Sequence, residues 1–282
     1  MVLQTVEAGV GARRASPVAP TGFTSERIRR TVRIGSLALG AGRPGVIAGP
    51  CSVEPGYVEQ AVALAQLGVD ALRAGVFKPR THPDSFQGLG VAALPLLEEA
   101  RRRTGLPLVS EVLCAEDAEA LGERVDAYQV GARNMQNFRL LEALGDIGRP
   151  VVLKRGPSAT IDEWIAASLY IRRRGNDDVV LCERGIRTFE TRTRNTLDLS
   201  AVLVAQELTD LPVIVDPSHA AGDSRWVPGL VRAALAAGAD GLLVEAHPSP
   251  TLAWSDADQA IDLDALEALL RYAHRSPATI EA

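Results

Sequence analysis

The sequence predicts an α/β protein: a single (β/α)8 TIM barrel carrying an N-terminal β-hairpin extension. Three observations carry this. The chain has 282 residues, 46% of them hydrophobic and 23% charged, a length that one barrel of about 250 residues uses as readily as two smaller domains. Short apolar runs alternate eight times with longer segments of 3.6-residue periodicity, the pattern of a parallel sheet closed on itself. The C-terminal ends of nearly all those runs carry ionisable or hydrogen-bonding residues, where barrel enzymes place their chemistry. An open doubly wound sheet is the competing architecture. It calls for a Gly-rich dinucleotide turn after its first strand, and Ala48-Gly-Pro-Cys51 is not one.

In chain order, residues 1–45 form a lead and a hairpin, and residues 46–282 the catalytic barrel. The first 25 or so residues mix Gly, Ala, Pro, Ser and Thr without a period and are expected to be mobile or loosely draped. Residues 31–40 alternate apolar and polar positions around Gly35-Ser36, which reads as a hairpin. The expected barrel strands are 46–48, 71–74, 107–110, 127–130, 151–154, 179–183, 213–216 and 241–245. The expected helices are 57–67, 92–104, 116–122, 137–144, 161–173, 197–207, 226–237 and 263–273.

Composition excludes several functions. With 35 acidic and 30 basic residues the formal charge is −5, so no basic face is expected for nonspecific binding of nucleic acid or an anionic membrane. No apolar run reaches transmembrane length. Arg13 and Arg14 precede no apolar stretch of the kind a signal peptide has. Cys51, Cys114 and Cys182 are too few and too scattered for a disulfide framework. A reducing, cytoplasmic location follows as the expectation. Cys114 and Cys182 read as packing residues, and Glu54 and Asp84 as caps. The arginine runs 101–103 and 172–174 read as helix ends facing solvent.

At the strand ends stand Cys51; Arg73, Lys78 and Arg80; Glu111; Gln129 and Arg133; Lys154; Glu183 and Arg184; Asp216 and His219; and Glu245. Six cations at one mouth, Arg73, Lys78, Arg80, Arg133, Lys154 and Arg184, imply roughly three anionic groups, for instance two phosphates and a carboxylate. Cys51, His219, Glu245 and Asp256 lie far apart in sequence and match no local zinc motif. Closure of a barrel makes its first, seventh and eighth strands neighbours, and a thiolate, an imidazole and two carboxylates there suit Mn, Fe, Co or Zn. Their other roles would be a buried small hydrophobe, a turn residue, an arginine partner and a helix cap.

The stretches Gly49-Pro-Cys-Ser-Val-Glu54, Arg73-Ala-Gly-Val-Phe-Lys-Pro-Arg-Thr81, Ser85-Phe-Gln-Gly-Leu-Gly90, Gly131-Ala-Arg-Asn-Met-Gln-Asn137, Leu153-Lys-Arg-Gly156, Cys182-Glu-Arg-Gly-Ile-Arg-Thr-Phe-Glu190, Val215-Asp-Pro-Ser-His219 and Val244-Glu-Ala-His-Pro248 resemble the 3-deoxy-7-phosphoheptulonate (DAHP) synthase family, type I beta branch. The resemblance runs from about residue 30 to 270. It implies a metal-dependent condensation of phosphoenolpyruvate with erythrose 4-phosphate and water to DAHP and phosphate, the first step of the shikimate pathway to aromatic compounds. It also implies one divalent ion, manganese first and iron, cobalt or zinc as alternatives, on Cys51, His219, Glu245 and Asp256. Arg133 and Arg184, with the amides near Gly131 and Ala132, would hold the phosphoenolpyruvate phosphate, and Arg73 and Lys154 its carboxylate. Lys78 would lie between the reacting carbons, and Arg80 and Thr81 would match the aldose-phosphate segment. Lys78, His219, Cys51 and Glu111 are the expected catalytic residues; Glu111, Lys154 or a hydroxide on the ion would activate the water.

The sequence departs from the branch at His82-Pro-Asp-Ser-Phe86, where Ser-Pro-Tyr is common, at Ala74, where a glycine is usual, and at Ala257, where a glycine usually follows the aspartate. The resemblance further implies a homodimer or homotetramer. The length leaves no room for an appended feedback domain, so regulation would come from a separate protein. Two other functions compete. One is the sister enzyme that makes 3-deoxy-octulosonate 8-phosphate from arabinose 5-phosphate, whose Lys…Ala-Asn-Arg-Ser pattern differs from Lys78-Pro-Arg-Thr81. The other is a catalytically silent regulatory barrel, which would lack a ligand or a phosphate-binding arginine.

Overall fold

A computed structural model describes residues 29–275; the expected mobile lead lies outside the described residues. Val32–Ile34 (β1) and Leu37–Leu39 (β2) pair antiparallel around Gly35-Ser36, with Gly35 at φ 56° supplying the left-handed turn residue. The inward side chains Val32, Ile34, Leu37 and Leu39 are buried, which is why the sequence alternates there.

Eight parallel strands close the barrel: Gly45–Gly49 (β3), Ala71–Arg73 (β4), Leu108–Val112 (β5), Ala127–Val130 (β6), Val151–Lys154 (β7), Val179–Glu183 (β8), Val213–Val215 (β9) and Gly241–Glu245 (β10). Residues of β10 pair with β3, which makes the first and last barrel strands neighbours. The helices are Tyr57–Leu67 (α1), Leu94–Thr104 (α2), Ala115–Leu121 (α3), Phe138–Ile147 (α4), Ile161–Arg172 (α5), Leu199–Leu208 (α6), Pro217–Ala221 (α7), Val227–Ala236 (α8) and Leu263–Ala273 (α9). Local chemistry starts and stops them. Thr160 and Glu163 form a reciprocal capping box at α5, and Gly68, Gly105 and Gly148 end α1, α2 and α4 in left-handed conformation.

Several expected bounds shift by one to three residues, two of them for local reasons. Residues 90–93 wind as a 3-10 turn ahead of α2. β9 stops at Val215 because the Asp216 side chain accepts from the His219 amide and starts α7, a five-residue helix too short to show a period.

The apolar residues sort into two cores. One lies between sheet and helices, with Leu64, Leu72, Leu97, Leu144, Trp164 and Leu266. The other fills the barrel interior, where Ile47, Val109, Val152, Val180, Cys182, Ile214 and Leu243 meet the hairpin residues Val32, Ile34, Leu37 and Leu39. The hairpin therefore plugs the N-terminal end of the barrel. A Cβ on Gly45 would sit 2.5 Å from Leu37 Cδ1, and one on Gly241 2.9 Å from Leu39 Cδ2, so these two glycines admit the plug. Cys182 packs as expected, but Cys114 does not: it is exposed at the start of α3. Asp84 caps no helix; its side chain faces solvent beside His82. The arginine runs do end α2 and α5, each with acidic partners, Arg101 on Asp126 at 2.7 Å and Arg172 on Asp177 at 2.8 Å. Among the described residues no helix is long and apolar enough to cross a membrane.

Candidate active site

The strand ends opposite the plug open into a cleft of about 520 Å³ whose lining includes Cys51, Lys78, Glu111, Lys154, Arg184 and His219. A larger cleft, of about 740 Å³, lies outside the barrel mouth between Asp223 and Asp262. Its arginine, Arg225, is already bound to Asp223 at 2.6 Å, and it collects no cysteine or histidine. The mouth holds the reactive groups.

Four donors converge there from two loops, a short helix and one strand end. Ligand atoms of Cys51, His219, Glu245 and Asp256 all lie within 4.8 Å of one another. Cys51 sits on the turn after β3, brought in by glycines: a Cβ on Gly49 would lie 2.9 Å from Arg73 O, and one on Gly75 2.6 Å from Cys51 O. Ala74, between Arg73 and Gly75, is buried, and Gly75 is the residue whose Cβ would meet the Cys51 backbone. His219 comes from α7, with Nε2 3.9 Å from Cys51 Sγ and 3.1 Å from Glu245 Oε1. Its Nδ1 lies 2.7 Å from Asp216 Oδ2, with Nε2 on the side of the other donors. Asp256 holds a left-handed conformation, φ 52° and ψ 36°, the one non-glycine residue to do so among those described.

The electrostatics suit a cation. Burial, then the Glu245 carboxylate, pushes the Cys51 thiol up to about 12. Burial pushes His219 down, toward the neutral imidazole that ligates. Burial alone would raise Asp256, but its contact with Cys51 and the neighbouring Arg194 guanidinium hold it below the ordinary carboxylate value. One thiol, one imidazole and two carboxylates at this spacing fit a divalent ion of borderline softness.

The cations divide into two sets, and this corrects the anion count made from sequence. Arg73 Nη1 lies 2.6 Å from Glu245, Lys78 Nζ 2.9 Å from Glu111, and Lys154 Nζ 2.6 Å from Asp216, all buried. Arg80 lies 3.6 Å from Asp256. The protein's own carboxylates thus neutralise part of the cluster, so six cations do not require three bound anions. Arg133 bonds Thr81 Oγ1 at 3.1 Å, and Arg184 donates only to the carbonyls of Gly185 and His219; neither has a carboxylate within ion-pair distance among the described residues. Both face the cleft, whereas Arg73 lies beneath its lining.

Lys78 and Glu111 form the floor. Burial disfavours the Lys78 ammonium, but Cys51 and Glu111 outweigh it and hold the group above its ordinary value. Burial would raise Glu111, but Lys78 and Lys154 outweigh it and hold its carboxyl low. Gly131 leaves room for this carboxylate: a Cβ there would lie 2.1 Å from Glu111 Oε1 and would displace it.

Sequence reading missed several residues. Arg187, Arg194 and Asn195, from the loop between β8 and α6, line the cleft; the signal was two further arginines after a strand end. Glu54 is not a cap. Its buried carboxylate takes His247 Nε2 at 2.8 Å, Gln60 Nε2 at 3.0 Å and the Trp254 amide at 2.8 Å. The next residue after Cys51 meets the residue before Asp256, Ser52 Oγ to Ser255 Oγ at 2.7 Å. These bonds stitch the two ligand-bearing loops together.

A closed parallel barrel with a mixed sulfur, nitrogen and oxygen cluster beside arginines that lack carboxylate partners defines an enzyme that works on small phosphorylated molecules next to a divalent ion. The family model described as "DAHP synthetase I family" matches residues 24–280. The phospho-2-dehydro-3-deoxyheptonate aldolase of Thermotoga maritima is 47% identical over 242 residues, 85% of this chain and 72% of that protein. A crystal structure of the Thermotoga maritima DAHP synthase superposes with a TM-score of 0.83 at 46% identity, covering 86% of this chain and 72% of that one. A 2-dehydro-3-deoxyphosphooctonate aldolase from Acidithiobacillus ferrooxidans is 30% identical, over 80% of this chain and 86% of that protein. The chain belongs to the DAHP synthetase I family, and is, like its members, a transferase that forms a carbon–carbon bond. The family is metal-dependent.

Proposed function

We propose that this protein condenses phosphoenolpyruvate with erythrose 4-phosphate and water to give DAHP and phosphate, the entry step of the shikimate pathway. One observation carries the assignment: three of the four clustered donors, Cys51, His219 and Asp256, line the same 520 Å³ cleft as Arg133 and Arg184, two arginines without carboxylate partners among the described residues. The 47% identity to a heptonate aldolase, against 30% to an octonate aldolase, favours the four-carbon aldose phosphate, as does Lys78-Pro-Arg-Thr81.

In this proposal Arg133 and Arg184, with the backbone at Gly131 and Ala132, bind the phosphoenolpyruvate phosphate. Lys154 and the Arg73 charge beneath it attract the carboxylate, and Arg80 with Thr81 takes the aldose phosphate. The Arg133 bond to Thr81 sets the two phosphate sites side by side. Carbon 3 of phosphoenolpyruvate attacks the aldehyde carbon, water adds at carbon 2, and the hemiketal breaks its carbon–oxygen bond to release phosphate. Lys78, held protonated in the folded site, gives its proton to the aldehyde oxygen as the carbon–carbon bond forms, so that oxygen becomes a hydroxyl. Glu111, held as a carboxylate, accepts the proton of the incoming water and returns it to Lys78 at 2.9 Å. Cys51, His219, Glu245 and Asp256 would hold the divalent ion, which supplies Lewis-acid polarisation of the aldehyde when bound.

Phosphate release from phosphoenolpyruvate with each aldose phosphate in turn tests the assignment. Erythrose 4-phosphate is the expected substrate; preference for arabinose 5-phosphate would make this the sister enzyme, and binding of phosphoenolpyruvate without turnover a silent barrel. Manganese is the proposed ion, with iron, cobalt or zinc as rivals, and a homodimer or homotetramer the proposed assembly. Metal analysis of the purified protein and light scattering check these.

A further inference from the structure

The loop between β8 and α6 does more than edge the cleft. The Arg194 amide donates to Ala221 O at 3.0 Å and the Asn195 amide to Ala220 O at 2.8 Å, so this segment is docked on α7, the helix of His219. The seat is close: a Cβ on Gly222 would lie 2.6 Å from Arg194 Cβ. From it Arg194 Nη1 donates to Gln259 Oε1 at 2.8 Å and lies 3.5 Å from Asp256 Oδ1.

Gln259 is 2% exposed. Its Nε2 donates to Glu245 Oε2 at 2.7 Å. A guanidinium can only donate, so Arg194 decides which end of the Gln259 amide faces it and leaves the NH2 end for Glu245. The other Glu245 oxygen is set by Arg73 at 2.6 Å and His219 at 3.1 Å. Both oxygens of a fully buried carboxylate are thus oriented, one of them by a chain of contacts that starts on a surface loop.

We propose that Arg194 and Gln259 are positioning residues of the four-donor cluster: Arg194 orients Gln259, Gln259 orients Glu245, and this relay sets the affinity of the cluster for a divalent ion. It rests on the proposed role of Cys51, His219, Glu245 and Asp256 as ligands. A purely structural Gln259, tying down the loop before α9, would lower the melting temperature when replaced but leave ion affinity alone.

The test is Mn(II) affinity of the full chain by equilibrium dialysis at fixed pH, with thermal unfolding of the ion-free proteins beside it. Gln259→Met and Arg194→Ala are each expected to weaken Mn(II) binding by about ten-fold or more, the range for groups that orient ligands. The double variant is expected to be no more than about three-fold weaker than the weaker single, because the two act in one line. Arg194→Lys keeps the charge without the planar fork and should recover only part of the loss. Should Gln259→Met not fold, Gln259→Asn, a methylene short of Glu245, is expected to show the same weakening. Affinities within two-fold of the original protein in both single variants, or a double variant whose loss is the product of the two, overturn the relay alone. An original protein that binds no Mn(II), or a Cys51→Ala variant that binds it equally well, overturns the ligand assignment and the relay with it.

Discussion

The two ends of the barrel are built from the same eight strands yet are chemical opposites. At the N-terminal end Ile47, Val152, Val180, Ile214 and Leu243 pack in one buried apolar cluster with the hairpin side chains Ile34, Leu37 and Leu39. Toward the other end the strands carry Arg73, Glu111, Lys154, Glu183 and Glu245 in their last two positions, every one of them buried. The difference shows how stability and reactivity can share one sheet. Burying an unpaired charge is costly, and pairing does not fully offset the lost hydration, so the charged end rests on the apolar plug beneath it.

Perturbing the charged end should abolish function while sparing the fold. Replacing His219 by Ala removes a ligand and frees Asp216; turnover is expected to fall by more than about 100-fold with a native circular dichroism spectrum. Unchanged turnover with chelator-treated protein would break the comparison. Next in size, Arg184→Ala should raise the phosphoenolpyruvate KM about 10- to 100-fold, since a charge-assisted pair contributes about 1.5–3 kcal/mol. Steady-state kinetics against phosphoenolpyruvate read this directly.

The plug should answer in the opposite way. Leu39→Ala creates a cavity in a dry core and is expected to cost about 2–5 kcal/mol in chemical denaturation, with kcat and KM unaltered below its unfolding range. A finer contrast comes from pH. Glu111 titrates below its ordinary 4.5 in the folded protein, so its contribution is fully present above about pH 4.5 and is lost as pH falls through the lower folded value. Glu111→Gln should flatten the decline of stability in that acid window. Stability that falls equally steeply in both proteins would place the acid sensitivity elsewhere. Smallest of all, Arg172→Ala, which opens contacts to Asp177 and Asp210 at the rim, should cost no more than about 1 kcal/mol.

The barrel was legible because strand and helix periods are local. Val151–Lys154 and Val179–Glu183 have the bounds that their apolar runs imply. The short α7 was not, since Pro217–Ala221 spans little more than one turn and its start depends on a side-chain bond within Asp216-Pro-Ser-His219. The four metal-ligand candidates meet as barrel closure requires. Glu54 was misread because a carboxylate before a helix resembles a cap, and its true partner, His247, is 193 residues away.

By itself the sequence determined the eight repeats, the plug's alternation and which residue types reach the strand ends, because each depends on neighbours a few residues apart. Only the tertiary structure decided which cations are already satisfied. Arg73 meets Glu245 across 172 residues and Lys154 meets Asp216 across 62, pairings set by which strands lie side by side in a closed sheet. The same closure leaves Arg133 and Arg184 without carboxylate partners among the described residues and brings Arg194 to Gln259; charge balance at a site is a property of the folded neighbourhood, not of the residue list.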